Sequence, residues 1–245
     1  MKCVALLSGG VDSATACMLV KKGGCEVYGL NFRRVRKEFE TEYARKFAER
    51  HGINFKVVDA DVTSLIREVQ DTPLSYVSLS GHRWEFLWGR NIIYLTLAAN
   101  YAASISASLI VVGFAPHDAL RTDDPSSCDY PDCHPQVLDT LSNLLTITLH
   151  RTAQPRPSGD GLLRIDAPLM NKVKTKVDVF KLALELGINI EDTISCYTPI
   201  KTSEGWRSCG HCLACHHRRA ALTVLRKQGF NVPLDEITTS SCCEA

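Results

Sequence analysis

Short apolar runs alternate along the chain with longer amphipathic stretches. An apolar run that ends in glycine or polar residues is typical of a strand buried on both faces. The pattern predicts strands at residues 3–7, 26–32, 53–58 and 109–114. Periodic apolar positions, with a glycine just after several segments, are typical of helices. They predict helices at residues 13–22, 37–51, 62–69, 91–108, 136–149, 174–186 and 213–228.

Strands that alternate with helices favour βαβ units and a parallel sheet. The predicted fold class is therefore α/β, a mostly parallel sheet of five or six strands with helices on both faces. Long loops are predicted at residues 71–89 and 115–135, and loops of this length in a compact domain are more often functional than idle. A segment with Pro and Gly at residues 152–161 is predicted to be a further loop.

Composition narrows the class of protein. A length of 245 residues with 45% hydrophobic content suits one large α/β domain, alone or with a small appendage. The net charge of +1 gives no overall attraction to nucleic acid. No run approaches the roughly 18 apolar residues of a membrane span, so we expect a cytoplasmic protein. In that compartment the 11 cysteines are expected to be thiols or metal ligands rather than disulfides.

The motif SGGVDS at residues 8–13 follows the first predicted strand. Glycines let a backbone close around an anion, and a helix start offers free N–H groups and a positive dipole. Neither the Walker A pattern nor G-x-G-x-x-G is present, and an ordinary turn capped by Ser13 is the alternative. Asp12 would repel a bare phosphate, so we assign it to a Mg²⁺ ion that bridges phosphates. The predicted nucleotide-binding residues of this motif are Ser8, Gly9, Gly10, Asp12 and Ser13.

Four cysteines near the end of the sequence follow the spacing Cys196-x₁₂-Cys209-x₂-Cys212-x₂-Cys215. Four thiolates can surround one ion as a closed tetrahedral site, which indicates structural Zn²⁺. The spacing matches neither ferredoxin pattern of iron–sulfur ligation, and free core cysteines are the remaining alternative. The nearby histidines are interpreted as bystanders, namely His211, His216 and His217.

The phosphate motif after the first strand resembles that of the PP-loop ATP pyrophosphatases, which share a HUP-type α/β fold. Together with the cysteine spacing, it makes the chain resemble the 7-cyano-7-deazaguanine synthase (QueC) family from Lys2 to about Arg219. Further motifs of the family occur in this sequence in the same order along the chain. They are G-R-N at residues 89–91, Val-Gly at 112–113 with Asp118, Y-P-D-C at 130–133, and P-L-M at 168–170 with Lys174.

The resemblance implies an activity and a set of site residues. Family members use ATP and ammonia to convert 7-carboxy-7-deazaguanine, through an adenylate and an amide, into a nitrile, with Mg²⁺ and a structural Zn²⁺. The implied catalytic residues are Asp12, Lys174 and Arg90, of which the two cations would neutralise phosphate charge. The implied nucleotide contacts beyond the phosphate motif are Asn91 and Gly113, and the implied substrate contacts are Asp118, Tyr130 and Asp132. For each residue taken singly, a surface arginine, a helix cap or a plain turn is the alternative.

Three regions are expected along the chain. They are an ATP-binding domain at residues 1–190, a zinc-binding subdomain at 191–232 and a tail at 233–245. We expect the chemistry at the carboxyl ends of the first strand and of the strand at 109–114. The resemblance also implies a homodimer.

The sequence departs from the family after the second predicted strand. The family's F-D-Y-G-Q-x-H is replaced by L-N-F-R-R-V-R-K at residues 30–37, and its P-N-T-F-V-P by W-E-F-L-W at 84–88. Residues 119–129 form an insertion. The basic cluster at 33–37 is either a solvated helix start or a changed site for substrate or partner.

These departures flank the expected acid and ammonia sites, and they leave other functions open. One alternative enzyme stops at the amide, or joins the activated deazapurine to another amine, such as one on a protein. A tRNA-modifying PP-loop enzyme would bind tRNA in a salt-sensitive way. A non-catalytic zinc-binding module would neither bind nor consume ATP.

Overall fold

The computed structural model describes residues 1–34, 37–62, 89–119, 130–150 and 162–233. Its main sheet has five parallel strands in the order β3-β2-β1-β4-β5. The strands are β1 (Lys2–Leu6), β2 (Glu26–Arg33), β3 (Asn54–Asp59), β4 (Leu109–Val111) and β5 (Arg164–Asp166). The strand order reverses between β1 and β4, which is where open parallel sheets bind their ligands.

Helices connect these strands. The helices in the described ranges are α1 (Val11–Lys22), α2 (Glu38–Arg50), α3 (Arg90–Ser104), α4 (Pro116–Ala119), α5 (Pro135–His150), α6 (Lys176–Glu185) and α7 (Leu213–Lys227). Short 3₁₀ turns lie at Pro131–Cys133 and Ile190–Asp192. An antiparallel hairpin joins β6 (Ile200–Thr202) to β7 (Gly205–Arg207). None of these helices is long and apolar enough to cross a membrane.

The side chains of β1 alternate between two cores, because successive strand residues point to opposite faces of a sheet. Cys3, Ala5 and Leu7 pack with α1, α2, α6 and α7 on one face. Val4 packs with α3 and α5 on the other face. The sheet is thus covered by helices on both sides, and the predicted α/β class, a mostly parallel sheet with helices on both faces, is confirmed.

The end of α3 differs from the prediction. The apolar pattern predicted a helix to residue 108, but α3 ends at Ser104. Ser106 has a left-handed φ of 57°, and the N–H of Ala107 bonds back to the carbonyl of Ala102 at 2.8 Å. A left-handed residue of this kind ends many helices, and it is usually glycine. Because Ser106 stands there instead, the sequence gives no signal that the helix ends.

The edge of the sheet formed by β4 and β5 also differs from the prediction. The strand predicted at 109–114 is only three residues long as β4, although the N–H of Val112 still donates to the carbonyl of Asp166 in β5 at 2.9 Å. Strand β5 was not located from sequence because it has no continuous apolar run. Only Ile165 is buried in it, between the exposed Arg164 and Asp166. The short β6–β7 hairpin was not predicted either.

Several loop predictions meet the described residues only in part. The loop predicted at 115–135 contains α4 and the 3₁₀ turn at Pro131–Cys133 in its described portions. The helix predicted at 62–69 and the loop at 71–89 lie, except for residues 62 and 89, outside the described residues. The segment at 152–161 lies entirely outside them.

Helix α7 contributes to the main core. Ala221, Leu222 and Leu225 are almost fully buried there, in the same apolar cluster as α1 and α6. Residues on both sides of position 190 therefore share one core. The division of the chain at that position remains a prediction.

Candidate active site

A cavity of about 260 Å³ lies at the carboxyl ends of β1, β2 and β4. Its walls come from the β1–α1 loop, the end of β2, the first turns of α3 and the residues that follow β4. Apolar side chains of the strand ends form part of the lining, including Leu6, Leu30 and Val112. The cavity thus lies at the reversal of strand order, where the sequence analysis expected the chemistry.

The SGGVDS motif forms the β1–α1 loop of this cavity, and we call residues 8–13 the phosphate loop. Gly10 precedes α1 in extended backbone, with no side-chain cap on the helix. The Ser13 hydroxyl donates to the Gly10 carbonyl at 3.0 Å and accepts from the Ser8 N–H at 3.2 Å. The Ser8 and Ser13 hydroxyl oxygens lie 3.1 Å apart. The first turn of α1 is therefore held in shape while its N–H groups remain suited to an anion.

Two predicted glycines serve close packing around the phosphate loop. Gly9 has φ of 80°, and a Cβ there would lie 2.6 Å from the Glu40 carbonyl oxygen. A Cβ on Gly113 would lie 2.5 Å from the Ser13 nitrogen. Both distances are shorter than side chains tolerate, so α2 and the end of β4 can approach the loop only because these positions are glycine.

Asp12 lies in the first turn of α1 and lines the cavity. Its Oδ2 forms a short ion pair with Nζ of Lys176, the first residue of α6. Lys174, the predicted cation, is exposed and does not belong to the described cavity lining. The sequence analysis missed Lys176, although it lies only two positions further along.

A capping box fixes Lys176 at the start of α6. The Thr175 hydroxyl accepts the Asp178 N–H at 3.3 Å, and the Asp178 carboxylate accepts the Thr175 N–H at 2.8 Å. Burial opposes ionisation of Asp178, but the N–H groups of Lys174 and Thr175 and the Thr175 hydroxyl lower its pKa. The T-x-x-D pattern at 175–178 is a sequence signal of a helix start and could have identified Lys176.

The G-R-N and Y-P-D-C motifs meet at the start of α3. The buried Asp132 accepts the N–H of Asn91 at 3.0 Å, and the Asn91 amide donates to Cys133 Sγ at 3.3 Å. Asp132 thereby caps α3 from 41 positions away. Tyr130 and Asp132 do not belong to the described cavity lining.

Three other predicted residues do reach the cavity. Arg90, Asn91 and Asp118 line it together with Gly113. Asp118 also accepts the N–H of Ala115 at 3.0 Å, which closes the first turn of α4. The structure therefore brings the phosphate loop, Arg90, Asn91, Gly113 and Asp118 together, and leaves Lys174, Tyr130 and Asp132 outside the lining.

The end of β2 forms an ordered polar wall, of which the sequence analysis singled out the basic cluster with Arg34 but not Asn31 or Glu40. The buried Asn31 donates to the Leu7 carbonyl at 2.7 Å and accepts from the Thr41 hydroxyl at 2.7 Å. Arg34 and Glu40 form an ion pair of 2.5 Å, with each side chain about one-fifth exposed. Asn31, Arg34 and Glu40 all line the cavity.

The other described members of the basic cluster make contacts within the chain. Arg33 pairs with Asp59 at 2.6 Å on the surface, and this carboxylate raises the Arg33 pKa. Lys37 Nζ donates to the Tyr197 carbonyl at 2.8 Å. Residues 35–36 lie outside the described residues. The cluster is thus partly an anchor for the β2–α2 connection, while Arg34 belongs to the cavity wall.

Polar groups without protein partners point to a ligand in this cavity. Tyr94 stacks on Phe32 with ring centroids 4.8 Å apart and is 9% exposed. Its hydroxyl and Nε of Arg90 are buried without a hydrogen-bond partner among the described residues, and both residues line the cavity. Burial raises the pKa of Tyr94, so the hydroxyl keeps its proton. Buried polar groups normally find partners, so a polar ligand fits here.

The four predicted metal ligands form one cluster, with their sulfur atoms within 4.8 Å of one another. The Sγ atoms of Cys209 and Cys215 are 4.0 Å apart, and those of Cys212 and Cys215 are 3.5 Å apart. A tetrahedral zinc–thiolate site places its sulfurs about 3.8 Å apart. The donor set and its dimensions therefore fit Zn²⁺.

Backbone N–H groups favour a thiolate at Cys209, whereas burial raises the pKa of Cys212 and the hydrogen bond with Cys196 raises that of Cys215. The Cys209 N–H donates to Cys196 Sγ at 3.2 Å, and the Cys212 N–H donates to Cys209 Sγ at 3.4 Å. Burial opposes ionisation of Cys209, but backbone hydrogen bonds from His211 and Cys212 lower its pKa to about 6. The thiolate is the form that binds a metal.

Comparison with known proteins places the chain in a family. A model described as "Queuosine biosynthesis protein QueC" matches residues 2–226. A 7-cyano-7-deazaguanine synthase of Prochlorococcus marinus (strain MIT 9515) is 32% identical over 227 residues, covering 89% of this chain and 92% of the relative. The synthase of Rhodopirellula baltica is 30% identical over 249 residues, covering 94% and 87%.

Solved structures give weaker matches. A 4-thiouridine synthetase in complex with RNA and bound ATP has a TM-score of 0.45 and 19% identity, covering 93% of this chain and 50% of that one. An NMN synthetase from Francisella tularensis has a TM-score of 0.44 and 16% identity, covering 80% and 66%. The family assignment depends on the sequence matches alone. Because the family model spans residues 2–226, the chain belongs to the QueC family of queuosine biosynthesis proteins.

Proposed function

We propose that this chain adenylates the carboxylate of 7-carboxy-7-deazaguanine and converts it with ammonia, through the amide, into 7-cyano-7-deazaguanine. The chain is an ATP-dependent carbon–nitrogen ligase by its family. The observation that carries the proposal is the position of the phosphate loop in a cavity whose lining includes buried polar groups with no partner in the described part of the chain.

The phosphate loop supports the binding of ATP through its pyrophosphate. The N–H groups in the first turn of α1 and the hydroxyls of Ser8 and Ser13 surround one end of the cavity. Lys176 and Arg90 add positive charge at the same place. Such preorganised donors stabilise the negative charge that grows on the leaving pyrophosphate.

Asp12 and Asp118 are the residues that would hold Mg²⁺. Both carboxylates line the cavity, and carboxylate oxygens are the ligands that Mg²⁺ prefers. When bound, the ion would offset phosphate charge near the carboxylate of Asp12. Lys176, which pairs with Asp12 in this structure, would then be able to contact a phosphate oxygen instead.

The proposed reaction depends on turning a poor leaving group into a good one. A carboxylate is a poor acyl donor, but its acyl adenylate loses AMP readily when ammonia attacks the carbonyl carbon. The amide oxygen is then adenylated in turn, and loss of AMP and a proton leaves the nitrile. Both rounds release pyrophosphate from ATP, so one phosphate loop can serve both. The apolar strand ends in the lining reduce access of water, which would hydrolyse an adenylate.

The cysteine cluster is proposed to hold a structural zinc ion. Four sulfur ligands complete a tetrahedral shell and leave no open position for a reactant. Its role is then to stabilise the segments that carry the four cysteines.

Mass spectrometry of a reaction with ATP, Mg²⁺, 7-carboxy-7-deazaguanine and ammonium tests the proposal. The expected products are the nitrile, AMP and pyrophosphate. A matched reaction without ammonium should stop at the adenylate or return to the acid. Failure to form an adenylate or an amide under any of these conditions would refute the activation chemistry.

The Arg34–Glu40 pair favours one alternative outcome. It lines the cavity where the sequence differs from the family pattern, so it could alter the part of the site that receives the nucleophile. Amide that accumulates without nitrile would indicate an enzyme that stops at the amide or uses another amine, including one on a protein. A homodimer remains a separate prediction, which light scattering tests.

A further inference from the structure

One segment connects the cysteine cluster to the phosphate loop. This linking segment, residues 190–196, runs from the 3₁₀ turn at Ile190–Asp192 to the metal ligand Cys196. The N–H of Ile194 donates to the carbonyl of Gly9 at 2.9 Å. A Cβ on Gly10 would lie 3.6 Å from the Ile194 carbonyl oxygen. The linking segment is therefore in direct contact with the loop that is proposed to bind ATP.

Helix α7 holds the linking segment at two places. Its first turn carries Cys215, which shares the metal cluster with Cys196. Its next turn carries Arg218, whose guanidinium donates to the Thr193 hydroxyl at 3.0 Å and to the Ile190 carbonyl at 2.8 Å. The linking segment is thus bound to α7 at both ends, on either side of Ile194.

The side chain of Arg218 is buried and is well placed to hold the linking segment in a fixed position. It is only 4% exposed, and its guanidinium lies 5.5 Å from the ring centroid of Phe180 in α6. The Thr193 hydroxyl, itself buried, donates to the Ile190 carbonyl at 2.7 Å. A planar guanidinium donates in fixed directions, and charge-assisted hydrogen bonds are strong. Its partners therefore have little freedom to move.

Gly9 has equally little freedom on its other side. The space where its Cβ would be is filled by the Glu40 carbonyl oxygen and by Cβ of Tyr43, both in α2. The Gly9 carbonyl is meanwhile bonded to Ile194. The conformation of the phosphate loop is consequently set by α2 on one side and by the linking segment on the other.

We propose that Arg218 is a positioning residue for the phosphate loop. Through Thr193 and Ile190 it fixes the linking segment, and the Ile194 N–H then fixes the Gly9 carbonyl. Arg218 does not belong to the described cavity lining, so we expect it to act on the loop through the linking segment and not by contact with a substrate. The proposal rests on the proposed use of the loop for ATP. A loop held in one conformation presents N–H groups that are already oriented toward the phosphates, and such preorganised donors stabilise the charge of the transition state.

The test compares Arg218→Met with Arg219→Met. Methionine keeps an apolar stem beside Phe180 but removes both hydrogen bonds to the linking segment. Arg219 is the matched control, because it also lies on α7 and donates to the carbonyl of Gly210, between two metal ligands, at 2.6 Å. Zinc content, hydrogen exchange and ATP kinetics are measured on both variants and on the unchanged protein.

Arg218→Met is expected to speed amide exchange about tenfold in the peptide that contains the phosphate loop. The kcat/KM for ATP should fall between about tenfold and a hundredfold, as it does when a reacting group is misplaced from a distance. Zinc content and the KM for the deazapurine acid should not change. Arg219→Met should leave both exchange in the phosphate loop and kcat/KM for ATP unaltered.

A purely structural role for Arg218 predicts a different result. The Tm would fall, but below the Tm both the exchange of the loop and kcat/KM for ATP would equal those of the unchanged protein. That result, or equal effects of the two substitutions on the loop, would overturn the proposal.

Two further variants cover the case in which Arg218→Met fails to fold. Thr193→Val removes only the hydroxyl that accepts from Arg218, and Arg218→Lys keeps the charge without the planar fork. Each should speed exchange of the loop by less than Arg218→Met would. Unchanged exchange in both variants overturns the proposal. If the unchanged protein releases no pyrophosphate, the proposed function fails, whereas the exchange comparison still decides whether Arg218 positions the loop.

Discussion

At the scale of single residues, Asp12 and Lys176 form an ion pair although 164 positions separate them. Their side chains are 24% and 25% exposed, so water screens the pair only in part. The pair matters because it brings a carboxylate and an ammonium to the first turn of α1. This is the combination that a magnesium-bound phosphate requires.

Replacing Asp12 by alanine should preserve the fold and abolish ATP turnover. Lys176, which loses its partner, is about one-quarter exposed and can turn toward solvent, while the proposed Mg²⁺ ligand disappears. We expect pyrophosphate release to fall by at least about a hundredfold with little change in Tm. Asp139→Ala, on the exposed side of α5, is the control and should be fully active. Undiminished turnover in Asp12→Ala would remove Asp12 from the magnesium site.

The two lysines before and at the start of α6 should behave differently. Lys176→Ala removes the cation beside Asp12 and should lower kcat/KM for ATP by about tenfold or more. Lys174→Ala removes an exposed side chain and should change it by less than about twofold. Steady-state pyrophosphate release at several ATP concentrations measures both. The reverse ranking would support Lys174, the residue that the sequence motif suggested.

At the scale of elements, the cysteine cluster joins parts of the chain that lack a large core of their own. Cys196, Cys209 and Cys215 are buried with Phe39 of α2 in a small apolar cluster. The β6–β7 hairpin contacts α2 through Trp206, whose indole N–H donates to Glu42 at 2.9 Å. A bound metal would therefore stabilise these contacts as well as the four ligands.

Cys212→Ser should release the metal and reduce solubility. Three thiolates bind zinc much less strongly than four, and the binding free energy of a structural zinc is part of the folding free energy. Metal analysis and thermal unfolding, each with and without a chelator, measure the effect. Cys25→Ser, a partly buried cysteine outside the cluster, is the control and should retain zinc. A stable, active and metal-free Cys212→Ser protein would refute a structural metal.

At the scale of the whole molecule, one core extends across the predicted boundary at position 190. Leu222 and Leu225 of α7 are fully buried with Val179 and Phe180 of α6. Removing α7 would expose these side chains of α6, and each fully buried apolar side chain contributes about 1.5–3 kcal/mol. The ATP-binding region and the cysteine region are therefore expected to fold together.

A chain that ends at residue 190 should accordingly aggregate or lack fixed tertiary packing. Size-exclusion chromatography and near-UV circular dichroism measure this. A chain that ends at residue 233 keeps α7 and the buried Val232, and should behave like the full chain. If the shorter chain were monomeric, cooperatively folded and able to bind ATP, residues 1–190 would be an independent domain.

The sequence predicted the features that depend on local pattern. Strand β1 carries a continuous apolar run and β2 is rich in apolar and aromatic residues, and their positions were predicted to within one residue at each end. The phosphate loop and the cysteine spacing are contiguous motifs whose chemistry follows from residue type. The end of α3 was predicted too late because Ser106 adopts a backbone conformation that its side chain does not require. Strand β5 was missed because its only buried residue is Ile165.

By itself the sequence determined the α/β class, the family resemblance, the phosphate loop and the four thiols, because each is encoded in residues close together in the chain. Only the tertiary structure decided which cation meets Asp12, that Asp132 caps α3, and that Arg218 reaches the linking segment. These contacts join residues that are far apart in sequence. They depend on the order of the strands and the packing of the helices, which no local pattern specifies.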